Sequence, residues 1–157
     1  RVTHNDTKLN NVLLDKKTRK SLCVLDLDTV MPGLSAFDFG DSIRFGAATA
    51  AEDEPDTSKM EMDLHLFEVY TRGFLEAATN LTDAEVKALP MGAYTMTLEC
   101  GTRFLKDYLD GDQYFKVQYP EHNLVRARTQ IKLVQDMEKK MAEMDAIVAR
   151  VAAEIRK

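Results

Sequence analysis

The pattern of apolar and polar residues divides the chain into a short strand-like part and a long helical part. Two apolar runs rich in branched residues, 11–14 and 22–27, flank a polar and cationic stretch at 15–21. Short apolar runs separated by a polar turn are typical of paired strands, so we predict one β-hairpin. The basic turn is interpreted as a solvated hairpin tip, with a phosphate-binding patch as the alternative. The Met-Pro-Gly sequence at 31–33 is expected to break the chain.

The remainder is predicted to be helical, beginning with apolar residues at helical spacing between 60 and 78. Thr82 and Glu85 have the spacing of a capping box, which begins a helix that must end near Pro90. A further helix follows, with Gly111 as its stop signal. The apolar stripes are Met60, Leu64, Phe67, Phe74 and Ala78 in the first helix, and Tyr94, Leu98, Leu105 and Leu109 in the last.

The longest predicted helix runs from Asn123 to Arg156. Its apolar residues recur in steps of three and four over about 50 Å, at 1.5 Å per residue. One interpretation is a helix packed along the domain, and the other is a coiled-coil or partner seam in its distal part. The apolar positions are Leu124, Ala127, Ile131, Val134, Met137, Met141, Met144, Val148, Val151 and Ile155.

Composition narrows the classes of function. The chain has 157 residues, which suits one domain, and its 21 basic and 26 acidic residues give a net charge of −5. An acidic chain is a poor candidate for nucleic-acid binding, because such binding needs surplus cations. The apolar runs are far too short to span a membrane. Cys23 and Cys100 form no CxxC motif, and we interpret them as free, buried thiols of a reducing compartment, the cytoplasm.

Acidic and amide residues concentrate in the first 45 positions, in three groups at 4–11, 26–28 and 37–41. Phosphoryl transfer needs a carboxylate to take a hydroxyl proton, oxygen ligands for magnesium and a cation to offset charge. The pattern His-x-Asp-x-Lys-x-x-Asn, followed by a strand that delivers another Asp, supplies all of these. The base, the cation and the two metal ligands would be, in that order, Asp6, Lys8, Asn11 and Asp26.

These motifs resemble those of the aminoglycoside phosphotransferase and choline kinase superfamily. The motifs are His4-x-Asp6-x-Lys8-x-x-Asn11, then Val-Leu-Asp-Leu-Asp at 24–28 and Phe-Asp-Phe-Gly-Asp at 37–41. The resemblance implies the C-terminal lobe of a protein-kinase-like fold, mainly α with a small β-hairpin, and an enzyme that uses ATP and Mg²⁺. Protein kinases proper match less well, since Asp-Leu-Asp stands at 26–28 in place of Asp-Phe-Gly.

A narrower resemblance, from Arg1 to about Val134, is to bacterial N-acetylhexosamine 1-kinases. It rests on Leu-Glu-Cys-Gly-Thr-Arg-Phe-Leu at 98–105 and on the segments 107–115 and 122–130. It implies ATP-dependent phosphorylation of the anomeric hydroxyl of an amino sugar. Two alternatives stay open: a kinase of the same superfamily that acts on an amino alcohol or an aminoglycoside, and a non-catalytic helical interaction module.

The superfamily resemblance also implies roles by position. Asp6 corresponds to the catalytic base, with Lys8 beside it. Asn11 and Asp26 correspond to the magnesium ligands, and Asp28 is either a further ligand or a group that supports the ligands.

Four further residues are assigned to support or to the acceptor. His4 corresponds to the structural histidine of the catalytic loop. Asp38 corresponds to the acid that braces this loop, with a plain helix N-cap as the alternative. Asp41 and Arg44 face the acceptor, or else form a structural ion pair at i, i+3.

The main departure from the family is that nothing in this chain resembles an ATP lobe. It has no glycine-rich phosphate loop, and it begins with Arg1 rather than Met. We therefore expect a C-terminal lobe without its N-terminal lobe, inactive alone, with the catalytic loop and metal hairpin at 1–45 and a helical subdomain at 46–157. Expected partners are that lobe and a small-molecule acceptor, with a homo-oligomer through the C-terminal helix as a further alternative. Neither nucleic acid nor a membrane is an expected partner.

Overall fold

Secondary structure in this computed structural model changes character at residue 35. The structure describes residues 1–156, and helices make up 61% of the chain. The strands are β1 (Val2–Thr3), β2 (Val12–Leu14), β3 (Ser21–Val24) and β4 (Met31–Pro32); the helices are α1 (Ser35–Gly46), α2 (Leu64–Ala77), α3 (Asp83–Lys87), α4 (Leu89–Leu109) and α5 (His122–Ile155). The prediction of a mainly α chain with a small β-hairpin is therefore confirmed. None of the helices within residues 1–156 combines the length and the apolar composition needed to cross a membrane.

The strands form two separate antiparallel pairs. β2 and β3 are the predicted hairpin, with Val12 opposite Val24 and a bulge between Leu13 and Leu14. The second strand ends at Val24, before the predicted residue 27, because Asp26 adopts a left-handed backbone conformation that a strand cannot continue. β1 pairs with β4, so the Met-Pro-Gly sequence that was expected only to break the chain contains an edge strand. An edge strand tolerates Pro because one of its sides needs no partner.

The apolar core lies between the helices and begins at Ala36. α1 and α4 cross so closely that a Cβ atom on Gly40 would lie 2.2 Å from the carbonyl oxygen of Gly92. α5 lies along α4 and α2. The largest fully buried apolar side chains are Phe39, Ile43, Met60, Met62, Phe67, Leu89, Leu133, Met137 and Met144. This packing holds α1, the helix that contains the Phe-Asp-Phe-Gly-Asp motif, against the rest of the chain.

The buried face of α4 differs from the predicted stripe. Leu98 and Leu109 of that stripe are exposed, whereas Ala93, Thr97 and Gly101 are buried. Small residues occupy the buried face because the neighbouring helices come too close for large ones. A Cβ atom on Gly101 would lie 2.9 Å from the Cβ atom of Gln130 on α5.

The beginnings of α2 and α3 were predicted with unequal success. Thr82 and Glu85 form the predicted capping box at the start of α3, because each side chain accepts the other residue's backbone N–H. α2 begins only at Leu64, with Asp63 as its N-cap. Met60, which was predicted to lie on the apolar face of this helix, lies instead in the loop before the helix, and its side chain is buried there.

The long C-terminal helix packs within the chain. α5 has 34 residues, and its distal apolar positions Met144, Val148 and Val151 are buried in the core cluster. α2 and α3 are the helices that contact this part of α5 together with α4. Of the two interpretations offered from the sequence, the structure of α5 matches the helix packed along the domain. Three of the distal apolar positions on which a coiled-coil seam would depend are therefore covered by the chain itself.

Candidate active site

One carboxylate of α1 holds the loop at 4–11 in place. The backbone N–H groups of His4 and Asn5 donate to Asp38 Oδ2 and Oδ1, at 2.8 and 2.7 Å. Thr7 Oγ1 donates to the backbone carbonyl oxygen of Asp38 at 2.5 Å. The N-cap of α1 is Leu34, so Asp38 does not cap its own helix. Its carboxylate instead fixes the position of the loop relative to α1.

The same loop is bonded to the turn that follows β3. His4 Nε2 lies 3.0 Å from the carbonyl oxygen of Leu25, and His4 Nδ1 accepts the N–H of Asp6 at 3.3 Å, a pattern that fits the neutral tautomer with its proton on Nε2. Thr29 Oγ1 donates to the carbonyl oxygen of His4 at 2.6 Å. Asn5 Nδ2 donates to the carbonyl oxygen of Thr29 at 2.9 Å. The loop is therefore held from two sides.

Asp6 lies in this loop with two side-chain donors on one of its oxygens. Lys8 Nζ and Asn11 Nδ2 both donate to Asp6 Oδ2, at 2.9 and 2.8 Å, which leaves Oδ1 for a third partner. Partial burial acts to raise the pKa of Asp6, but the hydrogen bonds from Lys8 and Asn11 outweigh burial and hold the pKa below its ordinary value. The carboxylate is therefore ionised at neutral pH and able to accept a hydrogen bond or a proton.

Asp26 and Asp28 lie beside the loop on the turn after β3. The N–H of Leu25 donates to the carbonyl oxygen of Asn11 at 2.8 Å, which brings this turn alongside the loop. The hydrogen bond and the charge of Asp28, then slight desolvation and the charge of Asp6, raise the pKa of Asp26 above its ordinary value. A bound cation relieves such crowding of negative charge.

The donor atoms of this group fit a magnesium ion. Carboxylate and amide oxygens are the ligands that Mg²⁺ prefers in proteins, and Asn11, Asp26 and Asp28 supply both kinds. Asn11 uses its Nδ2 atom for its hydrogen bonds to Asp6, so its amide oxygen is the end that suits a cation. Within residues 1–156 no three His, Cys, Asp or Glu side chains form a metal-binding cluster, and the set therefore depends on Asn11 as its third member.

A cavity of about 420 Å³ opens beside the loop. Its volume lies in the range of small-molecule sites, roughly 300–1,000 Å³. Asp6 and Lys8 line it together with Asp41 and Arg44 of α1. A larger cavity, about 690 Å³, lies between α3 and the end of α5, but none of these four residues borders it. We therefore assign the smaller cavity to the candidate site.

A buried ion-pair network forms one part of the cavity lining. Arg44 donates to Asp41 Oδ1 through Nε and Nη2, at 3.1 and 2.9 Å, and to Glu52 Oε1 at 2.5 Å. Asp41 is only 6% exposed, and its Oδ2 atom has no hydrogen-bond partner within the described part of the chain. The structure thus shows the i, i+3 ion pair and also places both of its members in the cavity lining. Glu52 was not among the residues singled out from the sequence.

A thiol of α4 lies against this network. Burial, partly opposed by the charge of Arg44, raises the pKa of Cys100 to about 12. The thiol is therefore neutral and adds no charge to the cavity that it lines. Both cysteines are free as predicted, but the prediction that both are buried is wrong, because Cys23 is exposed on the hairpin.

A further part of the lining is a cation–aromatic wall that the sequence did not predict. Its members are Arg103, Phe104, Tyr114, Phe115, Lys116 and Arg126. The guanidinium of Arg103 lies 5.5 Å from the ring centroid of Tyr114, and that of Arg126 lies 5.4 Å from the ring centroid of Phe104. The only sequence signal for these residues was the narrower resemblance at 98–130, which gave them no roles.

The structure places the sequence-predicted residues in three neighbouring groups. The residues that line the cavity are Asp6, Lys8, Asp41 and Arg44. The residues grouped at the hairpin are Asn11, Asp26 and Asp28. The residues that support the loop are His4 and Asp38.

Comparison with known protein families bears on the part of the chain that contains these groups. Residues 1–74 match the sequence model of a family described as the phosphotransferase enzyme family. The matched stretch includes every predicted catalytic, metal-binding and supporting residue, from His4 to Arg44, and is slightly less than half of the chain. The match supports a phosphotransferase of the kinase-like superfamily to which the aminoglycoside phosphotransferases belong.

Proposed function

We propose that this chain is the C-terminal catalytic lobe of an ATP-dependent phosphotransferase that phosphorylates the anomeric hydroxyl of an N-acetylhexosamine. The main supporting observation is the placement of Asp6, an ionised carboxylate at the border of a cavity of small-molecule size. One of its oxygens is held by Lys8 and Asn11, and the other remains for a substrate.

In the proposed reaction, Asp6 acts as the general base. Its Oδ1 atom accepts the proton of the acceptor hydroxyl as that hydroxyl oxygen becomes the nucleophile, and the bonds to Oδ2 keep the carboxylate oriented. Such help contributes about 10²–10⁴-fold to a rate. Lys8 Nζ, 2.9 Å from Oδ2, places a positive charge where it offsets the charge that develops during transfer.

Asn11, Asp26 and Asp28 are the residues that would hold magnesium. When bound, the ion would neutralise charge on the nucleotide phosphates. The influence of Asp28 on the pKa of Asp26 leaves both roles of Asp28 open, since this residue can bind the ion or orient its neighbour.

The charge balance of the cavity favours a sugar over a cationic acceptor. The carboxylates that line the cavity are already paired with lysine or arginine. Lys116 and Arg126 of the cation–aromatic wall, by contrast, have no carboxylate partner within residues 1–156. An aminoglycoside or an amino alcohol would add positive charge here, whereas an N-acetylated sugar is neutral.

The first 34 residues support the two-lobe interpretation. Leu22 and Leu27, on the strand and the turn next to Asp26, are each 60% exposed, and many apolar neighbours in this segment are exposed as well. Clustered apolar exposure marks surfaces that another protein part covers. The cover that we propose is an N-terminal lobe of the same cytoplasmic protein, which would complete the nucleotide site, so that this chain alone does not turn over.

The function is tested by ATP-dependent phosphorylation of N-acetylglucosamine with the chain joined to its N-terminal lobe. Asp6→Asn is expected to lower kcat about 10²–10⁴-fold while ATP still binds. Asp26→Asn is expected to weaken binding of the metal–nucleotide complex, because it removes a charged ligand. Lys8→Ala should lower kcat less than Asp6→Asn. The matched control is Asp15→Asn, in the hairpin turn and away from the cavity, which should keep full activity.

Three outcomes would contradict the proposal. Full turnover of the Asp6→Asn variant would show that Asp6 is not the general base. Absence of transfer to sugars, amino alcohols and aminoglycosides alike would favour the non-catalytic interaction module. Transfer to a cationic acceptor alone would favour a kinase of the same superfamily that acts on an amino alcohol or an aminoglycoside.

A further inference from the structure

Residues 113–116, the wall loop, lie between α4 and α5 and supply three members of the cation–aromatic wall. The backbone N–H groups of Gln113 and Tyr114 donate to Asp107 Oδ1, at 3.0 and 2.8 Å. The N–H of Phe115 donates to Asp107 Oδ2 at 2.9 Å. Asp107 lies in the last turn of α4 and is only 5% exposed. One carboxylate on a packed helix therefore fixes the backbone of the wall loop.

Asn123, in the first turn of α5, holds Asp107 in place. Its side chain is fully buried, and its Nδ2 atom donates to Asp107 Oδ2 and to Asp112 Oδ1, both at 2.9 Å. Its Oδ1 atom accepts a hydrogen bond from Arg126 Nη1 at 3.1 Å. Because ionised carboxylates only accept hydrogen bonds, the Nδ2 end of the amide must face the two aspartates. The side chain of Asn123 thus joins the end of α4, the turn after it and α5 at one point.

Neither backbone preference nor burial alone accounts for the conformation of this part of the chain. Asp112 has a φ of +56°, in the left-handed region that residues other than glycine adopt infrequently. Tyr114 is 74% exposed, so its burial adds little. The rings of Phe104 and Phe115 do pack, with their centroids 4.6 Å apart. The conformation of the wall loop therefore depends mainly on the hydrogen bonds that Asp107 accepts.

We infer that Asn123 is a positioning residue, which acts through Asp107 to hold the wall loop in the conformation that lines the cavity of the candidate site. Asn123 itself is fully buried and does not border that cavity. The inference rests on the proposed function, because it takes the cavity to be the acceptor site. It gives a physical role to two segments, 107–115 and 122–130, whose resemblance to known kinases assigned them none.

Hydrogen exchange of the 157-residue chain measures the hold on the wall loop directly. In the unaltered chain the backbone N–H groups of residues 113–115 should be protected, although they lie in a loop. Asn123→Ala should accelerate their exchange about 10- to 100-fold, the usual effect of losing one hydrogen bond to a charged group, while α2 keeps its protection. Unprotected N–H groups at 113–115 in the unaltered chain would overturn the inference, even if Asn123→Ala failed to fold.

The matched control is Asp136→Ala, on the same helix as Asn123. Asp136 is 7% exposed and accepts the N–H of Met62 at 2.8 Å, in the segment before α2. Its loss should leave exchange at 113–115 unchanged, because it supports a different part of the chain. Equal acceleration at 113–115 in both variants would show a general loosening of the chain and would overturn the inference.

Kinetics of the two-lobed protein separates positioning from plain structural support. Asn123→Ala should raise the KM of the acceptor about 10-fold and leave the KM of ATP unchanged, because the wall loop borders the acceptor cavity. In a Phe115→Ala background the same substitution should have little further effect, since two residues that act through one contact are not additive. Full additivity of the two substitutions, or an equal rise in both KM values, would show that Asn123 does not act through the wall loop.

Failure of this inference and failure of the proposed function give different results. If the two-lobed protein phosphorylates N-acetylglucosamine but Asn123→Ala changes neither exchange at 113–115 nor the KM of the acceptor, the positioning role is wrong and the function stands. If exchange at 113–115 depends on Asn123 but no phosphoryl group is transferred to any acceptor, Asn123 still holds the wall loop and the phosphotransferase is wrong.

Discussion

The strand segment, residues 1–34, and the helical segment, residues 35–156, differ in where their apolar side chains lie. Every residue of the buried core cluster belongs to the helical segment, from Ala36 onward. In the strand segment, Val2 is 78% exposed and Leu22 60% exposed, and most other large apolar side chains there are exposed too. Burial thus stabilises the helical segment and contributes little to the strand segment.

Hydrogen bonds to fixed points hold the strand segment instead. Asp38, on a helix anchored in the core, accepts two backbone N–H groups of the loop. Thr29 and Asn5 bond the loop to the turn after β3. Catalytic groups are often placed in this way, on loops that a packed scaffold positions. The comparison teaches that in this chain one segment supplies stability and the other supplies most of the candidate catalytic and metal-binding residues.

Truncation of one apolar side chain in each segment should give the largest difference between the two segments in the free energy of unfolding. Phe67 is fully buried, with its ring centroid 5.8 Å from that of Phe39. Phe67→Ala is expected to lower the free energy of unfolding by about 3–5 kcal/mol. Leu22→Ala should change it by less than about 0.5 kcal/mol, because the side chain is exposed. Urea unfolding measures both, and a large loss in Leu22→Ala would show that the strand segment is packed in solution.

The close crossing of α1 and α4 predicts the next largest effect. In Gly40→Ala the new Cβ atom would lie 2.2 Å from the backbone oxygen of Gly92, so the helices must separate. We expect a loss of about 3 kcal/mol, at the upper end for overpacking. Gly73→Ala is the matched control, because no atom lies within 4 Å of its new Cβ, and it should stabilise the chain by about 0.5–1 kcal/mol. Equal effects of the two substitutions in urea unfolding would contradict this packing.

The sequence was sufficient where local chemistry determines structure. The capping box at Thr82 and Glu85 forms as predicted, because both of its bonds are local. The hairpin also forms, with its second strand shortened at Asp26, whose left-handed backbone no periodicity indicates. The catalytic role of the loop motif around Asp6 stays a prediction, which rests on residue types that suit phosphoryl transfer at a fixed spacing.

The sequence was insufficient where structure depends on contacts between distant elements. The stripe chosen for α4 used large apolar residues such as Leu98, but the helix buries small residues such as Gly101, because only those allow the close approach of its neighbours. The cavity could not be predicted either. It joins Asp6 to Arg103 and Arg126, and no local pattern connects residues so far apart in the chain.

Loss of the bracing carboxylate should loosen the strand segment and leave the helices intact. Asp38→Ala removes the acceptor of the His4 and Asn5 N–H groups, an expected loss of about 2 kcal/mol. Hydrogen exchange should accelerate at residues 4–8 and stay unchanged in α5. Asp63→Ala is the control, because it removes the N-cap of α2 at a similar cost and should leave exchange of the loop as it was. Unchanged exchange at residues 4–8 in Asp38→Ala would show that another contact positions the loop.

The smallest effect is expected from the pH response of two aspartates of the strand segment, Asp26 and Asp15. Asp28, foremost through its hydrogen bond and charge, raises the pKa of Asp26, so the folded chain binds this proton more tightly than the unfolded chain. That stabilisation is complete below the ordinary aspartate pKa and is lost as the pH rises through the raised pKa. Asp26→Asn should therefore raise Tm slightly at pH 7, and the gain should vanish at acidic pH.

The control substitution, Asp15→Asn, is expected to change Tm in the opposite direction. Hydrogen bonds from Thr18, backbone N–H first, lower the pKa of Asp15, so its stabilisation is present above the ordinary aspartate pKa and is lost as the pH falls through the lowered one. Asp15→Asn should accordingly lower Tm slightly at pH 7. Addition of Mg²⁺ sharpens the contrast, because it should raise Tm of the unaltered chain and of Asp15→Asn but not of Asp26→Asn. An equal Mg²⁺ response in all three, measured by calorimetry, would mean that the crowded acids at the hairpin do not bind the ion.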